Sequence, residues 1–290
     1  MRTIEYLFGP SAPIFWPGVV VALAVAVLCS VLSVPVVLKR MSFIGQGVSH
    51  AAFGGVGLVL ALGLGGASGS DVTGTLLVGA FCVACALAIS GLSERRGLSA
   101  DTAIGVVLVT AMALGFVLIR VAVRARAPGE APVPAVEAIL FGSVLGVGWT
   151  DALLAGVLAA AELGAIWWCR RPLLFWAFDE PAARAFGVPT GGMRTLLTVL
   201  LALAIVVTMR LAGVVLATAL LVLPGAIALQ LSRRLGVVLT LATSCGLAGV
   251  LGGMSVSFEL DWQPGPCIVL VLAGMFALAR AAAVLRRPAA

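Results

Sequence analysis

The chain has 290 residues, 62% of them hydrophobic and 10% charged, with a formal net charge of +6 and a mean hydropathy of +1.19. No soluble core absorbs that much apolar surface, whereas a bilayer does, because a spanning helix of about 20 apolar residues satisfies its own backbone hydrogen bonds. The basic residues sit in short clusters between apolar runs, a pattern of membrane topology rather than of nucleic-acid binding.

Apolar runs read against these clusters predict an all-α, polytopic helical bundle forming one transmembrane domain over residues 1–290. Nine spans are expected, at about residues 17–38, 44–64, 72–92, 101–119, 149–169, 195–209, 211–231, 236–254 and 266–284. Merging the sixth and seventh would leave eight. The first apolar run, Val19 to Leu38, precedes Lys39 and Arg40; a signal peptide carries its charge before a shorter run, so a retained helix is expected.

In the second span lies His50, the sole histidine, with Gln46 four residues earlier on the same helical face as Ser42, Gly54 and Gly57. A small, polar face suits the lining of a pathway, since polar groups inside spans are costly and point to function. The alternative is a hydrogen bond from His50 to a neighbouring helix; one imidazole and one amide do not make a metal site. The glycine-rich stretch at 62–74 reads as an outer turn. The third span holds Cys82 and Cys85, a CxxC with no second pair or nearby histidine, and the six cysteines read as small apolar packing groups rather than a disulfide framework.

Asp101 follows Ser99 at the start of the fourth span, where a helix cap is expected. After this span comes a Pro-rich outer loop, about residues 120–148, beginning with Arg120, Arg124 and Arg126. These three arginines run against the charge bias described below, and are either tolerated or a docking patch for an acidic partner. Glu162, mid-way along the fifth span, is suited to neutralise a passing cation, relay a proton, or remain protonated and hydrogen-bonded.

The inner loop at 170–194, RRPLLFWAFDEPAARAFGVPTGGMR, is amphipathic. Asp179 is placed to cap a short helix with Pro181 in its first turn and Gly187 at its end, a docking element by shape. Further on, Pro224 predicts a kink, and Glu259 and Asp261 fall in an outer loop before the last span, either at a mouth that attracts cations or in a capping turn.

Thirteen of the 18 Lys and Arg fall in one set of alternate loops: Lys39, Arg40, Arg95, Arg96, Arg170, Arg171, Arg184, Arg194, Arg233, Arg234, Arg280, Arg286 and Arg287. Arg2, Arg120, Arg124, Arg126 and Arg210 fall in the other. The positive-inside rule puts the amino terminus outside and the carboxyl terminus in the cytoplasm. Lys39 is the only lysine and follows Leu38; a P-loop requires Gly-Lys, so any ATP-derived energy must come from a partner.

Several stretches, in order, resemble the manganese/zinc/iron permeases of bacterial ABC importers: LKRMSFIGQGVSHAAFGGVGL (38–58), ADTAIGVVLVTAMALGFVL (100–118), LFGSVLG (140–146), FDEPAARAFGVP (178–189), LAGVVLATALLVLPGAIA (211–228) and DWQPGPCIVLVLAG (261–274). The resemblance implies a type II ABC importer permease: a channel-forming subunit without ATPase activity, in the bacterial inner membrane. It implies a homodimer served by two cytoplasmic ATP-binding subunits and an extracytoplasmic metal-binding protein, with no permanent cofactor and no nucleic acid. The cargo implied is a divalent ion, zinc or manganese or else iron, moved by alternating access. Phe178, Asp179, Glu180, Ala183, Arg184 and Gly187 match the segment that contacts the ATPase, and His50 matches the family's second-span histidine. Arg120, Arg124, Arg126, Glu259 and Asp261 are candidates for an outer mouth or binding-protein dock. Family members often carry an acid where this chain has Gln46, so a carboxylate is missing there, and Glu162 is a candidate to compensate.

The competing reading is a proton-coupled secondary transporter with His50 and Glu162 as relays. A scaffold or intramembrane enzyme is a third, but the sequence offers no nucleophile and base pair and no multi-histidine motif.

Overall fold

The computed structural model describes residues 9, 12–64, 72–95, 99–125 and 148–285. Arg2, Arg96, Arg126, Arg286, Arg287 and the stretch 140–146 lie outside them. Within the described residues the chain is helical: α1 (Ala12–Leu38), α2 (Ser42–Ala61), α3 (Val72–Arg95), α4 (Ala100–Ala125), α5 (Trp149–Phe178), α6 (Glu180–Ala185), α7 (Thr190–Leu220), α8 (Leu223–Leu231), α9 (Leu235–Leu260) and α10 (Pro264–Leu285). Among the described residues, eight helices are long and apolar enough to cross a bilayer.

The centre of the bundle is built from α1, α2 and the first part of α7, the most buried of these helices. α7 packs against α1, α2, α3, α5 and α10, while α1 also meets α5, α8 and α9. α4 and α10 are the least buried, and their outward Val, Leu and Phe side chains, such as Val109, Phe116 and Leu270, are exposed as lipid-facing residues should be.

Close approach between α2 and α4 depends on glycine. A Cβ built on Gly54 would meet Ala111 O at 2.7 Å, and one on Gly57 would meet Gly115 O at 2.8 Å. Small residues at this seam let two backbones pack directly, the usual means of helix association in lipid. Gly54 and Gly57 therefore belong to a packing seam, not to the pathway face expected from their spacing with His50.

The expected seventh span is a broken segment. α7 kinks at Gly213, whose φ of 78° and ψ of 170° lie outside helical values and are open to glycine without strain. The apolar stretch Val215–Leu231 then runs 17 residues, about 25 Å at 1.5 Å per residue against a hydrocarbon core of about 30 Å. Within it the helix breaks at Leu221 and Val222, and Pro224 sits in the first turn of α8, where its missing N–H is harmless. The expected kink at Pro224 is thus a fresh helix start. Arg210, expected in an outer turn, lies in helical backbone of α7.

This segment nevertheless returns the chain to the end it came from. α7 begins beside the end of α1, where Arg194 reaches Glu180, and by Thr208 it has climbed to Cys29. α8 comes back down to Val34, where Ala228 packs with Val238 and Ala242 of α9. α9 climbs again until Phe258 stacks edge-on against Phe15, ring centroids 5.9 Å apart. Ala12 and Leu285 consequently lie at opposite ends of the bundle.

Helix α5 is longer than expected. It continues through Arg170, Arg171 and Pro172 to Phe178, so most of the anticipated inner loop is a helical extension followed by α6. Arginine and leucine are good helix formers, and charge alone does not end a helix once it leaves the apolar layer.

Candidate functional site

At the end of the bundle shared by α6 and the close of α1, local sequence fixes a set of caps. Asp179 Oδ1 accepts a hydrogen bond from the Ala182 N–H at 2.9 Å and so caps α6, with Pro181 in the first turn. The helix closes on Gly187 at φ 81°, with Val188 N–H donating to Ala183 O at 2.9 Å, the six-to-one bond of a Schellman turn. α1 closes in the same way: Met41 N–H donates to Val36 O at 2.9 Å and Arg40 N–H to Val37 O at 3.1 Å. Here the left-handed position is Arg40, φ 56°, although glycine is the residue that adopts it freely. At the start of α4 the cap is Ser99, whose Oγ accepts from Thr102 N–H at 3.2 Å; Asp101, expected to cap, lies inside the first turn.

The expected coupling residues divide by direction. Phe178, Asp179, Arg184 and Gly187 are exposed and Ala183 is buried beneath them. Phe186 is 81% exposed and stacks only loosely against Phe175, ring centroids 5.9 Å apart. Sequence reasoning did not single out Phe186, although a large aromatic after a capped amphipathic turn is a usable signal. Glu180, in contrast, turns back into the bundle. Its Oε2 accepts from Lys39 Nζ at 2.8 Å and its Oε1 lies 3.7 Å from Arg194 Nη2. The Trp176 indole N–H is beside this carboxylate but outside hydrogen-bond geometry, and Lys39 Nζ stands 4.3 Å above the Trp176 ring. Hydrogen bonding to Lys39 holds the Glu180 carboxyl below its ordinary value.

Beside this cluster is a cavity of about 200 Å3 whose lining includes Lys39, Arg40, Ser90, Asp101, Trp176 and Glu180. The Ser90 Oγ and Trp176 Nε1 are buried without hydrogen-bond partners.

Within the span of α2, Gln46 is exposed on the surface of the chain and His50 is half-buried. Glu162 of α5 is only 6% exposed, and its Oε2 has no hydrogen-bond partner. α5 packs against α1, α6 and α7, whereas α2 packs against α3, α4 and α7. The structure therefore does not bring Glu162 to His50. Glu162 instead belongs to a helix packed on α1 and α7, which carry Cys29 and Thr208. Cys29 Sγ lies 3.5 Å from Thr208 Oγ1; because the Thr208 hydroxyl already donates to Ala204 O at 2.6 Å, the thiol is the donor between them. Among the described residues, no three His, Cys, Asp or Glu side chains form a group able to hold a metal ion.

At the opposite end, Arg120 and Arg124 are exposed on α4, as are Glu259 and Asp261 at the close of α9. Asp261 occupies a left-handed position, φ 57°, which its short polar side chain tolerates better than most. Arg126 lies outside the described residues. Cys82 is buried and Cys85 partly buried, both as free thiols in α3.

The chain matches the ABC 3 transport family over residues 11–283. It belongs to that family. The manganese transport system membrane protein MntC of Halalkalibacterium halodurans is 35% identical over 258 residues, covering 89% of this chain and 83% of that protein. A probable iron transport system membrane protein of Haemophilus influenzae is 32% identical over 265 residues, 91% of this chain and 92% of its own length. Among solved structures, PsaBC from Streptococcus pneumoniae, in complex with Fab, superposes with a TM-score of 0.79 at 27% identity, covering 96% of this chain and 94% of that one. As an ABC 3 permease the chain is the membrane subunit of its transporter, with ATP hydrolysis residing in a separate partner.

Proposed function

We propose that this chain is the permease of an importer that moves a divalent transition metal ion into the cell by alternating access. Manganese and iron are the first candidates, because relatives are named for them, and zinc is the third. The observation that carries the reading is α6 with its flanks: a short, capped helix presents Arg184 outward, with Phe178 exposed before it and Phe186 after it, in a chain that has no P-loop lysine. Such a surface is where cytoplasmic ATP-binding subunits, one per permease of a homodimer, would seat. This assigns the α6 end to the cytoplasm, in accord with the basic-residue bias, and the end bearing Arg120, Arg124, Glu259 and Asp261 to the extracytoplasmic metal-binding protein.

Gln46 and His50 are proposed as the first polar contacts of the passing ion. A glutamine on the outer surface of a spanning helix would face lipid in a lone protomer, which is costly; a second copy across the dimer axis would cover it. Glu162, with Cys29 and Thr208, forms a second polar station deeper in the bundle. Weak ligation at both suits a pathway, since an ion held tightly would not leave, and the binding protein would set metal choice because affinity order alone does not favour manganese.

The test is uptake into proteoliposomes holding the permease, its ATP-binding subunit and its binding protein, with manganese, iron and zinc in competition. ATP-dependent accumulation of one metal supports the reading. Equal uptake without ATP, driven by a proton gradient, would replace it with a secondary transporter.

A further inference from the structure

Glu180 is a charged residue of α6 that does not point where the exposed side chains of α6 and its caps point. Asp179, Arg184 and Phe186 face outward, whereas the Glu180 carboxylate reaches Lys39 at the end of α1 at 2.8 Å and Arg194 at the start of α7 at 3.7 Å. These two helices form the centre of the bundle. Lys39 is also the only lysine of the chain, and its ammonium lies over the ring of the fully buried Trp176. Two turn residues, Arg40 and Met41, then lead into α2, which carries Gln46 one turn on and His50 two turns on.

The turn between them is closely tied. Two Schellman hydrogen bonds hold it, and Arg40 occupies a left-handed conformation that a non-glycine residue keeps only when its surroundings impose it. A displacement of Lys39 is therefore passed to the first turns of α2 rather than absorbed. The ion pair borders the cavity of about 200 Å3, and both partners keep some solvent contact, with side chains 14% and 28% exposed. Partly exposed pairs add little to stability, so stability does not account for a carboxylate of α6 that reaches both the end of α1 and the start of α7.

We propose that Lys39 and Glu180 are positioning residues for transport: the ion pair links α6 to the α1–α2 corner, so that movement of α6 resets the placement of Gln46 and His50. The link rests on the reading of α6 as the seat of the ATP-binding subunit. Neither residue touches the ion; each acts through the helices it joins.

The complete complex, reconstituted in proteoliposomes, tests this with Lys39→Glu and with the double charge swap Lys39→Glu, Glu180→Lys. The quantity to read is metal taken up per ATP hydrolysed, alongside retention of the ATP-binding subunit on purification. Lys39→Glu should retain the subunit yet lose about fivefold or more in uptake per ATP, the low end of ordinary site-to-site coupling, and the swap should restore most of it. Unchanged uptake per ATP in Lys39→Glu, or a swap no better than the single variant, overturns the proposal. Should charge reversal prevent folding, Lys39→Met provides the same measurement, with Lys39→Arg as the conservative control expected to keep coupling. Failure of the underlying reading looks different: the subunit would then remain bound and active when the outward face of α6 is altered at Phe186.

Discussion

Gly57 of α2 and Gly115 of α4 meet backbone to backbone: a Cβ on Gly57 would lie 2.8 Å from the Gly115 carbonyl oxygen and 3.0 Å from its Cα. The two helices run parallel here, with Gly54 against Ala111 one turn earlier. The obstructing atoms are backbone, so an added methyl is accommodated only by moving a whole helix. Gly57→Ala should destabilise the permease by about 1–3 kcal/mol, the usual cost of overpacking. Thermal unfolding in detergent measures it, and a melting curve superimposable on wild type would refute the seam.

Phe186 presents the largest exposed aromatic surface near α6, and aromatic side chains dominate binding energy when a partner buries them. Phe186→Glu should weaken co-purification of the ATP-binding subunit by roughly 30-fold, as expected for loss of an interface hot spot. The variant should keep its own fold, since the ring contributes nothing to the core.

Glu162 sits buried with one carboxyl oxygen unpartnered. Glutamine preserves its shape and removes its capacity for charge. Glu162→Gln is expected to slow metal uptake roughly tenfold or less without lowering protein level, in the range of ordinary polar contributions of about 1 kcal/mol. Uptake equal to wild type, at equal protein level, would remove Glu162 from the pathway.

The ion pair at Glu180 has a defined pH window. Its carboxyl is held below the ordinary value of 4.5, mainly by the hydrogen bond from Lys39. A carboxylate depressed on folding contributes stability above its unfolded value and loses it only as pH falls through the folded one. Uptake per ATP should therefore show no inflection attributable to Glu180 at neutral or mildly acidic pH, and Glu180→Gln should lower it by the same factor throughout that range. A variant-to-wild-type ratio that changes between about pH 6 and 8, where an unperturbed carboxylate is fully ionised, would contradict this.

Much of the architecture is legible in the sequence because apolar length is a local property. The eight long spans, the α6 cap at Asp179 and its glycine stop at Gly187 all follow from residues close together in the chain. What escapes is what depends on distant neighbours. Glu180 reads as part of an outward docking helix, and only the approach of Lys39, 141 positions away, turns it inward. Gly54 and Gly57 share a helical face with His50, yet α4 claims that face. Cys29 and Thr208, 179 positions apart, meet only because α1 and α7 pack together. The end of α5 is misplaced for a simpler reason: Arg170 and Arg171 mark where the apolar layer stops, not where the helix does.

The bend at Gly213 decides which compartment each end of the chain can report on. Because α7 and α9 both climb the bundle, the segment between them must descend, however shallowly α8 sits in the bilayer. A fluorescent or protease-cleavable tag joined after Leu285 should share a compartment with α6, and one joined ahead of Ala12 should report from the other side. Labelling the two tags in intact cells and in inverted vesicles thus reads the parity of the crossings directly, even where hydropathy cannot say whether a 17-residue broken helix counts as a span.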